Sequence, residues 1–246
     1  MGYHESLTEG LNAVLEAFRS GKTVDRLFVL DGCQDGPVKT ILREAKKQDT
    51  MVQYVKKERL DQLSETKNHQ GVIAYCAACE YAEVSDILEN AKKKGEAPFI
   101  VLLDGIEDPH NLGAIIRTAN QAGAHGVIIP KRRAVGLTAT VARTSAGAVN
   151  YTPVAKVTNL VTVMEDLKKE GMWFVCADMD GEEMYSLNLK GPIGLVIGNE
   201  GEGVSRLVKE HCDMVASIPM KGDIDSLNAS VAMGVLAYEI VRQRRF

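Results

Sequence analysis

From residue 99 to the C-terminus the chain repeats one pattern, a short and almost wholly apolar run followed by a segment with helical spacing. Runs at 99–103, 126–130, 173–177, 193–197 and 214–218 predict strands; segments at 112–122, 138–144, 159–170, 204–210 and 227–245 predict helices. A strand that is apolar along its whole length, instead of alternating, has to be covered on both faces. Strands that alternate with helices predict an α/β domain, with a parallel sheet between two helical layers. Such sheets take ligands beyond the carboxyl ends of their strands. The loops after Leu103, Ile197 and Ile218 are therefore the places to look for chemistry, and each is rich in Gly, Asn, Glu or Ser.

Residues 1–77 mix shorter elements. A helix is expected over 6–19, where Leu7, Leu11, Val14, Leu15 and Phe18 fall at helical spacing. Strands are expected at 26–30, 51–55 and 71–77 and helices at 38–47 and 59–65, which makes a small α/β sandwich. After it, Glu80, Glu83, Asp86 and Glu89 give way to Lys92, Lys93 and Lys94, a stretch that reads as helix or linker. The expected organisation is a small domain at 1–77, a connecting stretch at 78–97 and a larger domain at 98–246.

Composition narrows the function classes. No apolar run approaches the roughly 18–20 residues of a membrane helix. No basic start precedes an apolar stretch, so a soluble cytoplasmic protein is expected. The five cysteines are scattered and odd in number, which suits a reducing compartment. Cys76 and Cys79 form a C-x-x-C without a second pair, so no metal is expected. The formal net charge is −4, so a nucleic-acid partner would have to be gripped by local patches. Lys131, Arg132 and Arg133, with Arg143, form one candidate. Arg242, Arg244 and Arg245 form another, although cations at a helix C-terminus also suit the helix dipole.

The first loop, 104–113, enters its helix at Asn111, a good capping residue. Gly113 and Arg117 are four apart and share a helix face. The glycine leaves a space for the arginine to cross, and an arginine on an otherwise apolar helix calls for an anionic partner. The second loop, Gly198-Asn199-Glu200-Gly201-Glu202-Gly203, permits tight turning and close approach to a ligand. It is neither a dinucleotide fingerprint nor a phosphate loop, and its two carboxylates suit a neutral or cationic ligand. The third, 218–230, offers Ser226 as a helix cap with Asn228 and Ser230 in the first turn. Capping needs one polar group, and three suggest a ligand.

Asn111-x-Gly113-x-x-x-Arg117, Gly198-Asn199-Glu200-Gly201-x-Gly203 and Pro219-Met220-x-Gly222-x-x-x-Ser226-Leu227-Asn228 resemble, in order and spacing, the three motifs of the SpoU/TrmH family of SPOUT methyltransferases. The likeness covers about residues 98–246, and Asn68-His69-Gln70-Gly71-Val72 resembles the substrate-binding domain of the ribosomal RNA members. The resemblance implies a C-terminal trefoil knot, S-adenosylmethionine as cofactor, RNA as substrate, and a homodimer whose site is completed near the subunit interface. It implies methyl transfer to a ribose 2′-hydroxyl, with a guanosine of large-subunit ribosomal RNA favoured over transfer RNA. Ile197, Gly198, Asn199, Gly203, Ile218, Met220, Ser226 and Leu227 would hold the cofactor. The family assigns activation of the hydroxyl to the arginine matching Arg117. A guanidinium with a pKa above ~12 is a poor base. Arg117 therefore reads better as stabilising the forming alkoxide and anchoring the adjacent phosphate, the proton leaving to that phosphate or to water. Asn111, Glu200, Ser226 and Asn228 are expected to position Arg117, ribose and cofactor, with Glu200 as a partner for Arg117. Lys131, Arg132, Arg133 and Arg143 would grip RNA phosphates, and residues 1–77 would recognise a folded RNA by shape. A non-catalytic RNA-binding protein of the same fold is the alternative.

Overall fold

The computed structural model describes residues 6–33, 35–223 and 226–245; Ile224 and Asp225 of the third loop lie outside the described residues. Two compact units are present, Met1–Glu80 with Gly136–Thr140, and Tyr81–Val135 with Val141–Phe246.

The first unit runs β1 (Ser6–Glu9), α1 (Leu11–Arg19), β2 (Val24–Leu30), α2 (Gly36–Lys47), β3 (Met51–Val55), α3 (Lys57–Leu63), β4 (Val72–Cys76). Its sheet order is β1-β4-β2-β3, with only β2 and β3 parallel. Helices α1 and α2 cover one face, packing Val14, Phe18, Val38 and Ile41 against Leu27 and Val29. Helix α3 covers the other, where Leu60 meets Phe28 and Ile73. One expectation is corrected: the helix predicted over 6–19 begins at Leu11. Gly10, at φ 88, stops it, and Ser6–Glu9 pairs antiparallel with β4 instead. The Glu9 carboxylate then accepts the backbone N–H groups of Glu65 (2.7 Å) and Thr66 (3.3 Å), which ties the strand to the loop before β4.

The rest of the chain runs α4 (Val84–Lys94), β5 (Phe99–Asp104), α5 (Pro109–Gln121), β6 (Gly126–Pro130), α6 (Ala139–Thr144), β7 (Val154–Val157), α7 (Leu160–Lys169), β8 (Trp173–Glu183), β9 (Ile193–Gly198), α8 (Arg206–Glu210), β10 (Met214–Ser217) and α9 (Ala229–Arg245). Its six strands are all parallel, in the order β10-β8-β9-β5-β6-β7. Ile87, Leu160, Met164 and Val208 of α4, α7 and α8 pack on one face, against Ile100, Leu102 and Phe174. Helices α5 and α9 pack together over the other, burying Leu112, Ile115, Met233 and Leu236. β7 was absent from the strands expected above, and β8 runs six residues past its expected end at Ala177.

Two features of this sheet shape the site. The chain steps from β5 through β6 to β7 at one edge, then crosses to β8 on the far side of β9, so the strand order reverses between β5 and β9. That switch point opens a crevice at the carboxyl ends of the strands. Secondly, the pairing of β10 with β8 jumps: Val215 faces Cys176, but Ala216 faces Glu182. The β8 residues in between bulge out of the ladder.

The opposite end of the sheet is held by polar side chains, of which His125 is fully buried. His125 Nδ1 accepts the Phe99 N–H (3.0 Å) while Nε2 faces Glu96 (3.1 Å). Burial, helped by the Lys94 charge, holds the His125 pKa below its ordinary value. Arg244 donates to the carbonyls of Ala97, Pro98 and Gly191 (3.1, 2.9 and 2.7 Å). Arg242 makes a bidentate pair with Glu239 (2.8 and 2.7 Å). Two of the three arginines of the second basic patch thus have their guanidiniums committed to structure, and that patch is not an open anion grip.

Candidate active site

Helix α5 starts earlier than expected, because Pro109 occupies its first turn and Asp108 caps it, accepting the His110 N–H at 3.0 Å. Asn111 is therefore not the cap. It sits inside the first turn, buried, with its side-chain amide free for other partners. Gly113 does not make room for Arg117 either. A Cβ on Gly113 would lie 1.8 Å from Thr144 Oγ1 and 2.7 Å from Thr144 Cβ, so the missing side chain accommodates α6. Arg117 is exposed and, among the described residues, has no hydrogen bond or ion pair. The expected Glu200–Arg117 pair is absent for that reason.

Helix α9 is capped by Asn228 and not by Ser226. Asn228 Oδ1 accepts the N–H groups of Ser230 (3.0 Å) and Val231 (3.4 Å) and the Ser230 hydroxyl (2.6 Å). With its oxygen so engaged, Asn228 can turn only its NH2 group outward. Nδ2 donates to Asn111 Oδ1 (2.9 Å) and Glu200 Oε1 (2.9 Å). Asn111 Nδ2 in turn donates to Glu200 Oε1 at 2.6 Å. One residue from each motif thus closes a three-membered ring of hydrogen bonds.

The β9 loop owes its shape to Asn199, whose Oδ1 accepts the N–H groups of Gly201 (2.9 Å) and Glu202 (2.6 Å). At Gly198 the main chain passes so close to itself that a Cβ would lie 2.0 Å from the carbonyl carbon of Gly203. Asp104 Oδ2 holds the far end of the loop by accepting the Ser205 N–H at 2.8 Å.

A cavity of about 630 Å³ opens on one side of this loop. Ile197, Gly198, Asn199, Gly203, Ile218, Met220, Ser226 and Leu227 all line it, together with Glu200. The β8 bulge adds Ala177, Asp178, Met179 and Asp180, and the end of β8 adds Glu183; the sequence reading missed all five. Their signal was available: they follow an apolar strand of the same sheet, as the three chosen loops do. Lys209 pairs with Asp178 at 2.8 Å. Burial raises the Asp178 pKa, but its Lys209 and backbone N–H partners outweigh this and hold it below the ordinary value. A second cavity of about 620 Å³ lies across the loop, lined by Asp104, Glu107, Asp108 and Arg133, and shares Asn199, Glu200, Glu202 and Gly203 with the first. Of the four basic residues expected to grip RNA, only Arg133 lines either of these two cavities; Arg132 and Arg143 are exposed and Lys131 is half-buried.

The first cavity falls within the roughly 300–1,000 Å³ of small-molecule sites. Ile197, Ile218 and Leu227 give it apolar walls, and Asp178, Asp180, Glu183 and Glu202 make it acidic. That lining fits a nucleoside carrying positive charge and disfavours a pyrophosphate. S-adenosylmethionine, with its adenine and its sulfonium centre, has that chemistry.

A switch-point cavity of this character on a parallel sheet suits an α/β enzyme that uses a positively charged nucleoside cofactor. Residues 98–238 match the SpoU rRNA Methylase family, and residues 7–82 match the domain described as RNA 2′-O ribose methyltransferase substrate binding. The chain belongs to the SpoU/TrmH family, and is an S-adenosylmethionine-dependent RNA methyltransferase. It is 49% identical over 237 residues to YacO of Bacillus subtilis (strain 168), named for the TrmH family of tRNA/rRNA methyltransferases, covering 96% of this chain and 94% of that one. Among solved structures, the SpoU methyltransferase AviRb of Streptomyces viridochromogenes in complex with AdoMet superposes with a TM-score of 0.62 at 27% identity, covering 98% of this chain and 91% of AviRb. The AdoMet-bound rRNA methyltransferase of Sinorhizobium meliloti does so at 0.60 and 26%, covering 96% and 86%.

Proposed function

We propose that this enzyme methylates the ribose 2′-hydroxyl of a guanosine in large-subunit ribosomal RNA and works as a homodimer. The observation that carries the reading is that Glu200, held by Asn111 and Asn228, lines two cavities, one of them fitted to the cofactor. Ribosomal RNA is favoured because the first unit matches a substrate-binding domain and because the rRNA methyltransferase of S. meliloti covers nearly the whole chain. Guanine presents adjacent N–H donors on its Watson–Crick edge, which suits a second cavity walled by Glu107, Asp108 and Glu202.

The bound cofactor supplies an electrophilic methyl group. Ile197, Ile218 and Leu227 hold its apolar part, the backbone of Gly198, Asn199, Gly203 and Met220 approaches it closely, Ser226 orients it, and the acidic lining balances its charge. Lys131, Arg132, Arg133 and Arg143 hold RNA phosphates. Arg117 stabilises the forming alkoxide. It lines neither cavity of its own chain, and Val231 and Tyr238 of α9 are apolar yet about half exposed (50% and 52%). A second copy covering α5 and α9 brings Arg117 to its partner's cavities and buries those side chains. A knotted C-terminal segment belongs to this reading because the chain belongs to the SpoU/TrmH family.

The test is a map of ribose methylation, at nucleotide resolution, in RNA from a strain lacking the gene and from its parent. The expected difference is one 2′-O-methylguanosine lost from large-subunit ribosomal RNA. A loss confined to transfer RNA refutes the substrate, and no loss in any RNA refutes the reaction.

A further inference from the structure

We propose that RNA docks on one end of the first unit, the end at which β4 begins, with Lys67 and Asn68 as recognition residues and Lys56 and Lys57 beside them; this rests on the RNA-methylating activity and not on which RNA is the target. β1 and β2 run antiparallel to β4, and β3 runs parallel to β2. The carboxyl ends of β1, β2 and β3 therefore meet the loop 64–71, which leads into β4. The substrate-binding match covers the whole unit, and the physical features of its surface single out this end.

That loop is held more firmly than a connection needs. The Glu9 carboxylate, besides its two backbone partners, accepts the Ser64 hydroxyl and the Thr66 hydroxyl (2.9 Å). Ser64 Oγ accepts the Lys67 N–H (2.8 Å), and Thr66 Oγ1 the Asn68 N–H (3.3 Å). His69 is buried; its Nδ1 accepts the Gly71 N–H (3.0 Å), which leaves the ring proton on Nε2, 3.1 Å from Asp61. Gln70 Oε1 accepts the Leu11 N–H (3.1 Å). The side chains of Glu65, Lys67 and Asn68 remain exposed, without a hydrogen bond or ion pair among the described residues.

Lys67 and Gln70 stand at φ 59 and 49. A side chain there is strained, and glycine would not be. For Gln70 the bond to Leu11 offsets the strain. Nothing inside the chain offsets it for Lys67, whose ammonium touches no partner. Strain kept without an internal gain points to an external contact.

Cations elsewhere in the unit have structural reasons. Arg19, Lys46 and Lys47 close α1 and α2, at the ends where the helix dipole favours them. Lys56 and Lys57 open α3, at the end where it does not, and neither forms an ion pair among the described residues. Lys56 follows β3 directly, and β2 separates β3 from β4. The two groups of cations thus lie about two strand spacings apart, roughly 10 Å. An RNA strand laid across the strand ends meets Lys56 and Lys57 with one phosphate and Lys67 with another. The Asn68 amide, donor and acceptor together, then reads a base edge. Base edges are open in that way where RNA is unpaired, so the docked segment is a loop, bulge or end. Glu58 and Glu65, exposed between the cations, lower the net charge, so the grip depends on register and not on bulk charge.

The test compares full-length variants for binding to large-subunit ribosomal RNA and to bulk transfer RNA from a strain lacking the gene, each offered separately. The variants are judged on whichever RNA wild type binds more tightly. Lys67→Ala and Asn68→Ala are each expected to weaken binding by about tenfold, and Lys56→Ala with Lys57→Ala by at least as much. The slope of log affinity against log salt is expected to fall by about one for Lys67→Ala and to stay unchanged for Asn68→Ala. Cofactor affinity, and transfer at saturating RNA, are expected to stay within about threefold of wild type, so that KM for RNA carries the loss. Lys67→Gly, which removes the strain with the side chain, is expected to melt no lower than wild type and to lose RNA as Lys67→Ala does. Lys46→Ala, an exposed cation at the other end of the unit, is expected to bind as wild type. Binding within twofold of wild type for all of the Lys56, Lys57, Lys67 and Asn68 variants overturns the assignment. So does a loss confined to Lys46→Ala, which puts the RNA at the other end, or a loss matched by a fall in melting temperature, which marks a structural role. If wild type prefers transfer RNA, the ribosomal reading falls and the surface is judged on transfer RNA; if wild type binds neither, the functional reading and the surface fall together.

Discussion

The tightest constraint on the cofactor loop is steric, and Gly198→Ala tests it. The added Cβ would stand 2.0 Å from the Gly203 carbonyl carbon, 2.2 Å from its oxygen and 2.2 Å from the Val204 nitrogen. Ordinary carbon–carbon contacts begin near ~3.5 Å, so the loop must give by roughly 1.5 Å. All three atoms are main chain, and no rotamer change relieves the clash. Overpacking of this kind costs about 1–3 kcal/mol, and relief by backbone alone belongs at the upper end. A domain of this size loses roughly 2–4 °C per kcal/mol, so the melting temperature should fall by roughly 6–12 °C. Glu200, two residues away, moves with the loop, and a 1 Å misplacement costs on the order of 100-fold in rate. Two neighbours calibrate the result. Gly201→Ala meets nothing nearer than Asn199 Oδ1 at 3.6 Å and should stay within about 0.5 kcal/mol. Gly203→Ala meets nothing within 4 Å but sits at φ 68, which costs roughly 1–2 kcal/mol. Scanning calorimetry without cofactor should rank the losses Gly198, Gly203, Gly201. A Gly198→Ala protein that melts with wild type and binds cofactor normally would refute the close-approach account of this loop.

Other residues give sharper readouts than stability alone. The folded-state pKa of His125 lies below its ordinary value, so at intermediate pH the unfolded chain binds the extra proton; the stability this residue contributes is present above about pH 6.5 and is lost as pH falls through the folded pKa. His125→Asn, which keeps an acceptor for the Phe99 N–H, should flatten the unfolding free energy between pH 8 and 5; an unchanged slope assigns it to another group. Asn111→Asp puts a second carboxylate at the 2.6 Å contact with Glu200 and should cost about 1–3 kcal/mol at pH 8, partly regained at pH 5.5; equal losses at both pH values contradict charge repulsion. Arg117→Ala should melt within about 0.5 kcal/mol of wild type while transfer falls at least ~100-fold. Mixing Arg117→Ala with Glu200→Gln chains should restore transfer, since one composite site is then intact; no restoration means that Arg117 serves its own chain.

β5, β6, β9, β10 and the first half of β8 were legible because each is a short, almost wholly apolar run, a signal independent of context. β7 escaped because Lys156 interrupts four residues that follow Pro153 and Thr152, too short and mixed a run to stand out. β1 was absorbed into a helix because Leu7 continues the helical spacing of α1; only the positive φ of Gly10 and pairing with β4 separate them. At the site, residue identities were readable and their roles less so. Asn111 and Ser226 looked like caps, but Asp108 and Asn228 took those positions and left Asn111 free to hold Glu200. The reason Gly113 is glycine lies in Thr144, thirty-one residues later, a long-range contact that local spacing cannot encode.

The central claim is tested most directly by methyl transfer with purified components. The purified chain is incubated with methyl-labelled S-adenosylmethionine and ribosomal RNA from a strain lacking the gene, and the RNA is digested to nucleosides. The account predicts label in 2′-O-methylguanosine, from a single position of the large-subunit RNA. Label on a base, label only when transfer RNA is supplied, or no transfer at all would contradict it.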